Sequence, residues 1–174
     1  DGDWRNRGGV TGTFDGDFGA SVSLYQRTLV VGAPGAVNQA GIAEVFVDNN
    51  VRFASQRVLS IADSTDGSLL NRPRFGTSVD IFGDRIVVGA ADEHLGNAED
   101  AGAVYTYEQD DTGVWQFHER LVLGQPGGAS AEAPDQFGFS VSLSGDCLMV
   151  GALGPMDAGS KVESAAPATP TAGS

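Results

Sequence analysis

Phe75-Gly76-Thr77-Ser78-Val79-Asp80-Ile81-Phe82-Gly83-Asp84-Arg85-Ile86-Val87-Val88-Gly89-Ala90 is one of three copies of a single pattern. Phe18-Gly19 opens another copy, continued by SVSLYQRTLVVGA (Ser21–Ala33). Phe137-Gly138 opens the third, continued by SVSLSGDCLMVGA (Ser140–Ala152). The Phe-Gly pairs recur at spacings of 57 and 62 residues. In each copy Ser-Val begins three residues after the Phe, and Gly-Ala begins fourteen after it (Gly32-Ala33, Gly89-Ala90, Gly151-Ala152). Two short runs rich in Val, Ile and Leu around a turn read as an antiparallel hairpin. Gly83-Asp84 and Gly145-Asp146 supply the turn chemistry, glycine tolerating positive φ.

Two further strands follow in two of the copies. Ala40-Gly41 begins AGIAEVFV and Ala101-Gly102 begins AGAVYTYE; then come Phe53–Leu59 and Trp115–Leu121. Each of these last leucines precedes the next Phe-Gly by sixteen residues. Trp4–Val10 has the same internal spacing and reads as a leading strand. Helical periodicity is absent. The expected fold is therefore all-β, with β-propeller blades of four antiparallel strands in an incomplete ring of about two and a half blades. Strands are expected near 18–25, 28–33, 41–48, 52–60, 75–82, 85–90, 102–108, 114–123, 137–143 and 147–152. The Gly-Ala steps fit places where blades crowd together and only small residues allow the backbones to approach. Phe18, Phe75 and Phe137 are expected as equivalent buried wedges.

The organisation follows. Residues 1–17 read as a leading strand or linker, 18–74 as blade repeat 1, 75–136 as blade repeat 2, and 137–154 as the first hairpin of repeat 3. Residues 155–174, rich in Ala, Pro, Ser and Thr, read as a disordered tail or linker.

FGxSVxL, then LVVGAP (Leu29–Pro34) and AGAVYTY (Ala101–Tyr107), resembles the FG-GAP repeat, the blade unit of integrin alpha-chain-like β-propellers and of many bacterial and algal surface proteins. The resemblance covers roughly residues 4–152 and departs from the name-giving tripeptide at Ala91 and Leu153, where proline would stand. It implies an extracellular or cell-surface, non-catalytic binding or adhesion-type module. It also implies a protein or glycan ligand at one rim, on the loops Gly35–Ala40, Ala62–Arg74, Ala91–Ala101 and Gly124–Gln136. The family's rings close with about seven blades. The remaining blades are thus expected from a longer chain or from self-association. An accessory propeller segment of a secreted hydrolase, and a structural surface protein without a specific ligand, stay open as alternatives.

Calcium is the cofactor to test. The family's DxDxDG loop lies between the first and second strands, but Tyr25–Thr28, Phe82–Arg85 and Ser144–Asp146 are too short to gather the several oxygens a hard cation needs. A second cluster, Asp92, Glu93, Asn97, Glu99 and Asp100, holds four carboxylates and an amide within nine residues. It reads either as a weak calcium or ligand site or as a solvated acidic loop, the bland reading being the heavier. No other cofactor is expected.

Composition narrows the rest. The 174 residues carry a net charge of −13 with a pI near 4.2, so there is no basic stripe for nucleic acid. No apolar stretch approaches the ~20 residues a membrane helix needs. The single cysteine, Cys147, excludes an intramolecular disulfide and reads as a small hydrophobe inside an apolar strand. His94 and His118 have no nucleophile beside them in a recognisable motif, so no catalytic residue is assigned.

Overall fold

The computed structural model describes residues 8–64, 72–123, 135–154 and 161–165. Each copy of the pattern is an antiparallel hairpin: β1 (Ser21–Tyr25) with β2 (Thr28–Ala33), β5 (Phe75–Phe82) with β6 (Arg85–Ala90), and β9 (Ser140–Ser144) with β10 (Cys147–Ala152). The first two copies continue into β3 (Ile42–Asp48) with β4 (Phe53–Leu59) and β7 (Ala103–Gln109) with β8 (Trp115–Leu121). The result is two four-stranded antiparallel sheets in simple sequence order, and a third sheet behind them. Both complete sheets carry a bulge at the same point of the fourth strand, where Gln56 and His118 are left out of the pairing. The fold is all-β, consistent with a partial β-propeller.

The third sheet goes further than the sequence reading. β11 (Lys161–Ala165) pairs antiparallel with β10, from Ala152↔Lys161 to Leu148↔Ala165. A tail beginning at 155 is therefore corrected over these five residues. The free edge of β10 offers a row of unpaired backbone groups, and β11 answers them with its main chain, which a reading by composition does not register. The leading strand read at Trp4–Val10 lies outside the described residues over 4–7, and residues 8–17 contain no strand. Thr13 instead donates from its N–H (2.8 Å) and hydroxyl (2.7 Å) to the carboxylate of Glu44, buried on β3.

Small residues set how the sheets meet. A Cβ added to Gly32 would lie 2.1 Å from the carbonyl oxygen of Gly76, and one added to Gly89 would lie 2.0 Å from that of Gly138. Alongside, Ser21 and Ser78 donate their hydroxyls to those same two carbonyls, at 2.9 and 2.8 Å. Val30, Val45 and Leu59 of the first sheet share a core with Phe75, Val79 and Ile81 of the second. Val87, Val104 and Leu123 share another with Phe137 and Leu148. Phe75 and Phe137 are buried as expected, Phe75 edge-on to Tyr105 at 5.2 Å. Phe18 is only half-buried, because no sheet among the described residues precedes it.

The first strands β1, β5 and β9 are joined through Asp80. Ser23 donates its hydroxyl to one carboxylate oxygen (2.6 Å), and Leu143 donates its N–H to the other (2.6 Å). Asp80→Ala is expected to cost about 2 kcal/mol, the range for hydrogen bonds to a charged group. Urea unfolding checks this; Asp80→Asn, which keeps one acceptor oxygen, should lose less.

Candidate functional site

The connections from second to third strand lie at one end of the sheets and are stitched to the lead-in of the next unit. Gln39 and Ala40 accept from the N–H groups of Arg74 and Phe75, at 3.1 and 3.0 Å. Asp100 and Ala101 accept from those of Gln136 and Phe137, at 2.8 and 2.9 Å. The N–H of Asp92 reaches back to the carbonyl of Pro73 at 3.3 Å, which ties the two rim segments together. Of the expected ligand-face loops, Gly35–Ala40 and Ala91–Ala101 are described in full. Ala62–Arg74 and Gly124–Gln136 fall partly outside the described residues, at 65–71 and 124–134.

In the first loop the four-residue helical turn α1 (Ala36–Gln39) is left-handed over three residues. Val37, Asn38 and Gln39 have φ of 50°, 57° and 71°. For a β-branched residue this is costly backbone. It is held closed by Ala40 N–H to Val37 O (3.2 Å) and Gly41 N–H to Ala36 O (2.9 Å). Val37 stands half exposed at its tip.

The second loop divides the five residues singled out in the sequence. Glu93 is buried, and its carboxylate receives Nε and Nη2 of Arg120 (3.0 and 2.5 Å) and the hydroxyl of Tyr105 (2.8 Å). Burial pushes its carboxyl above the usual range, against the pull of Arg120 and Tyr105. The Tyr105 hydroxyl is itself driven upward, by burial first and by Glu93 beside it second. Asp92 lies between Gln136 Nε2 (3.2 Å) and Arg74 (3.7 Å), its carboxyl raised by burial and held back by Arg74. Asp100, at φ 52°, faces His94 Nε2 at 3.2 Å. Asn97 and Glu99 are exposed, on and beside the tight turn closed between Leu95 and Ala98.

The structure therefore does not bring these five together. Among the described residues no group of three or more His, Cys, Asp or Glu side chains is placed to hold a metal ion. The physical reason is Arg120: it reaches from β8 into the loop and turns the central carboxylate inward as a structural ion pair. Cys147 also departs from its reading, since it is exposed on β10 rather than enclosed.

The outer strands of the first two sheets leave a cavity of about 380 Å³, lined by Gln56, Arg57, Val58, Val114 and Trp115. The Trp115 indole N–H is buried there without a hydrogen-bond partner among the described residues. Arg57 is held by Asp63 at 3.3 Å. The sequence singled out neither Arg120 nor Trp115 for such roles.

The model of the FG-GAP repeat family matches residues 70–107 and 129–165. The chain carries FG-GAP repeats. The second match runs through β11, so the FG-GAP unit includes the strand that composition assigned to a tail. The first unit lies outside both matched segments, yet Phe18, Gly19, Gly32 and Ala33 keep the sequence spacing of Phe75, Gly76, Gly89 and Ala90, and Ser21 pairs with Gly32 as Ser78 does with Gly89. No curated protein matches the chain. Among the described residues no helix is long and apolar enough to cross a membrane.

Proposed function

We propose that this FG-GAP chain is a non-catalytic, adhesion-type binding module of an extracellular or cell-surface protein, receiving a protein or glycan ligand on the rim of second-to-third-strand loops. The left-handed turn at Val37–Gln39 supports this reading most directly. Strained backbone that the surroundings hold in place, with a half-exposed apolar side chain at its tip, is better suited to contact than to folding. The ion pairs of Glu93 and Asp92 support it from the other loop, because they fix the rim that carries the exposed Asn97 and Glu99. Calcium is not part of this reading.

Val37→Gly tests it, because it separates binding from stability. Glycine accepts positive φ without a steric penalty, so the variant should be about 1 kcal/mol more stable in urea. On an array of glycans and extracellular proteins, the ligand that the wild-type chain retains should lose tenfold or more in affinity for the variant. Unchanged affinity would remove the first loop from the binding surface. An array with no retained ligand would favour a purely structural surface protein instead.

A further inference from the structure

Trp115 opens β8 at the end of its sheet away from the rim of second-to-third-strand loops, and it carries a polar atom that the fold does not need. Its side chain is 1% exposed, inside the core shared by the first two sheets. Its indole N–H has no hydrogen-bond partner among the described residues. The residue at the same register of the first unit is Phe53, which pairs with Asp48 as Trp115 pairs with Gln109. An aromatic ring is therefore all that packing asks of this position. A buried donor left unpaired is a cost that phenylalanine avoids.

The N–H lies at the cavity of about 380 Å³ between β4 and the start of β8, a volume within the range of about 300–1,000 Å³ for small-molecule sites. The groups around it are of three kinds. Arg57 brings a guanidinium whose charge is already met by Asp63, with Nη2 standing 3.3 Å from the carboxylate. Gln56 donates from Nε2 to the Gly113 carbonyl of the second unit at 3.2 Å, which leaves Oε1 as an acceptor. Gln56 is also the residue left out of the ladder by the bulge in β4, an irregularity that re-aims a side chain. Val58 and Val114 supply apolar wall.

We propose that this cavity binds a neutral, polyhydroxylated molecule of the size of a single sugar residue. A hydroxyl both accepts and donates. It answers the indole and guanidinium N–H groups and the Gln56 oxygen alike, while the C–H faces of a sugar ring lie on Val58 and Val114. A carboxylate only accepts. It would leave the Gln56 oxygen unanswered, meet the Asp63 carboxylate beside Arg57, and approach a chain of net charge −13. The site stands apart from the rim loops and does not depend on what they bind.

Titration of residues 1–174 with glucose, galactose, mannose and N-acetylglucosamine, each free and as its methyl glycoside, tests this. The chain has two tryptophans, so Trp4→Phe leaves Trp115 as the reporter. One of these sugars should saturate at millimolar concentration and shift the Trp115 emission as the indole N–H gains its hydrogen bond. Equal binding of the methyl glycoside marks a residue of a glycan chain, and its loss marks a free sugar; either supports the proposal. By calorimetry, Trp115→Phe, the ring that the first unit already uses, should weaken the same sugar tenfold or more. Val114→Trp, which fills the cavity from a half-exposed position, should do likewise. Circular dichroism checks that both variants fold. Val37→Gly on the rim should leave the affinity unchanged, which separates a failure here from a failure of the rim reading. Saturation by none of the sugars would overturn the proposal and leave water as the partner of the indole. So would acetate or propionate shifting the emission in their place, or a sugar whose affinity neither cavity variant lowers.

Discussion

Gly89→Ala is expected to lose about 3 kcal/mol of folding stability, at the upper end of the range for overpacking. The added Cβ would lie 2.0 Å from the Gly138 carbonyl oxygen and 2.4 Å from Ser78 Oγ. The carbonyl is backbone on the neighbouring unit, so the methyl is accommodated only by moving two sheets apart. That movement opens the shared core of Val87, Val104, Phe137 and Leu148 and stretches the Ser78–Gly138 hydrogen bond. Gly145→Ala is the control. Gly145 sits at φ 58° in an open turn, where an added Cβ meets nothing within 4 Å, so it should cost about 1 kcal/mol for the left-handed backbone alone. Urea unfolding followed by the fluorescence of buried Trp115 reads both. Equal losses in the two variants would mean that the sheets do not approach as closely as Gly89 requires.

Gly89 also shows why so much of the fold was legible in the sequence. A repeat writes the same packing constraint several times, so Phe-Gly, Ser-Val and Gly-Ala at one spacing give the hairpins, their register and the crowded contact together. The features that occur once were not legible. β11 has one large apolar residue in its sequence, Val162, too little to read as a strand, and its backbone pairs along the edge of β10. The left-handed turn at Val37–Gln39 has no glycine at its three positive-φ positions, so propensity points away from it. Glu44 and Tyr105 occupy equivalent positions on β3 and β7. One is satisfied by Thr13 and Ser55, the other by Glu93. Nothing local in either strand says which partner arrives from a distance. The loop at 91–101 illustrates the same limit: its carboxylates are visible in sequence, but the arginine that claims one of them is 27 residues away. One clue was available. Residues 91–174 contain thirteen acidic residues and only Arg120 and Lys161 as cations, so Arg120 was the natural candidate to neutralise a buried acid.

Arg120→Ala should be the most damaging change in the site, with a pH dependence that identifies the cause. Removing the guanidinium leaves the buried Glu93 carboxylate with the Tyr105 hydroxyl as its remaining side-chain donor. Breaking a buried pair in this way costs about 3–5 kcal/mol. In the wild type, burial already raises the Glu93 carboxyl above its usual value of 4.5, and Arg120 opposes that rise. Without Arg120 it climbs further, and the sign of the linkage follows. An acid whose folded pKa lies above its unfolded one contributes stability that is fully present below the unfolded value and is lost as pH rises through the folded one. The deficit of Arg120→Ala relative to wild type should therefore be smallest near pH ~4, where Glu93 takes up a proton, and should widen toward neutrality. Arg120→Ala combined with Glu93→Gln should recover much of the loss at neutral pH, because no buried charge is left alone, and its deficit should vary less with pH. Paired urea titrations of the three proteins at acid and neutral pH measure this. A deficit of the same size at both would trace the loss to the packing of the arginine stem rather than to the charge it neutralises.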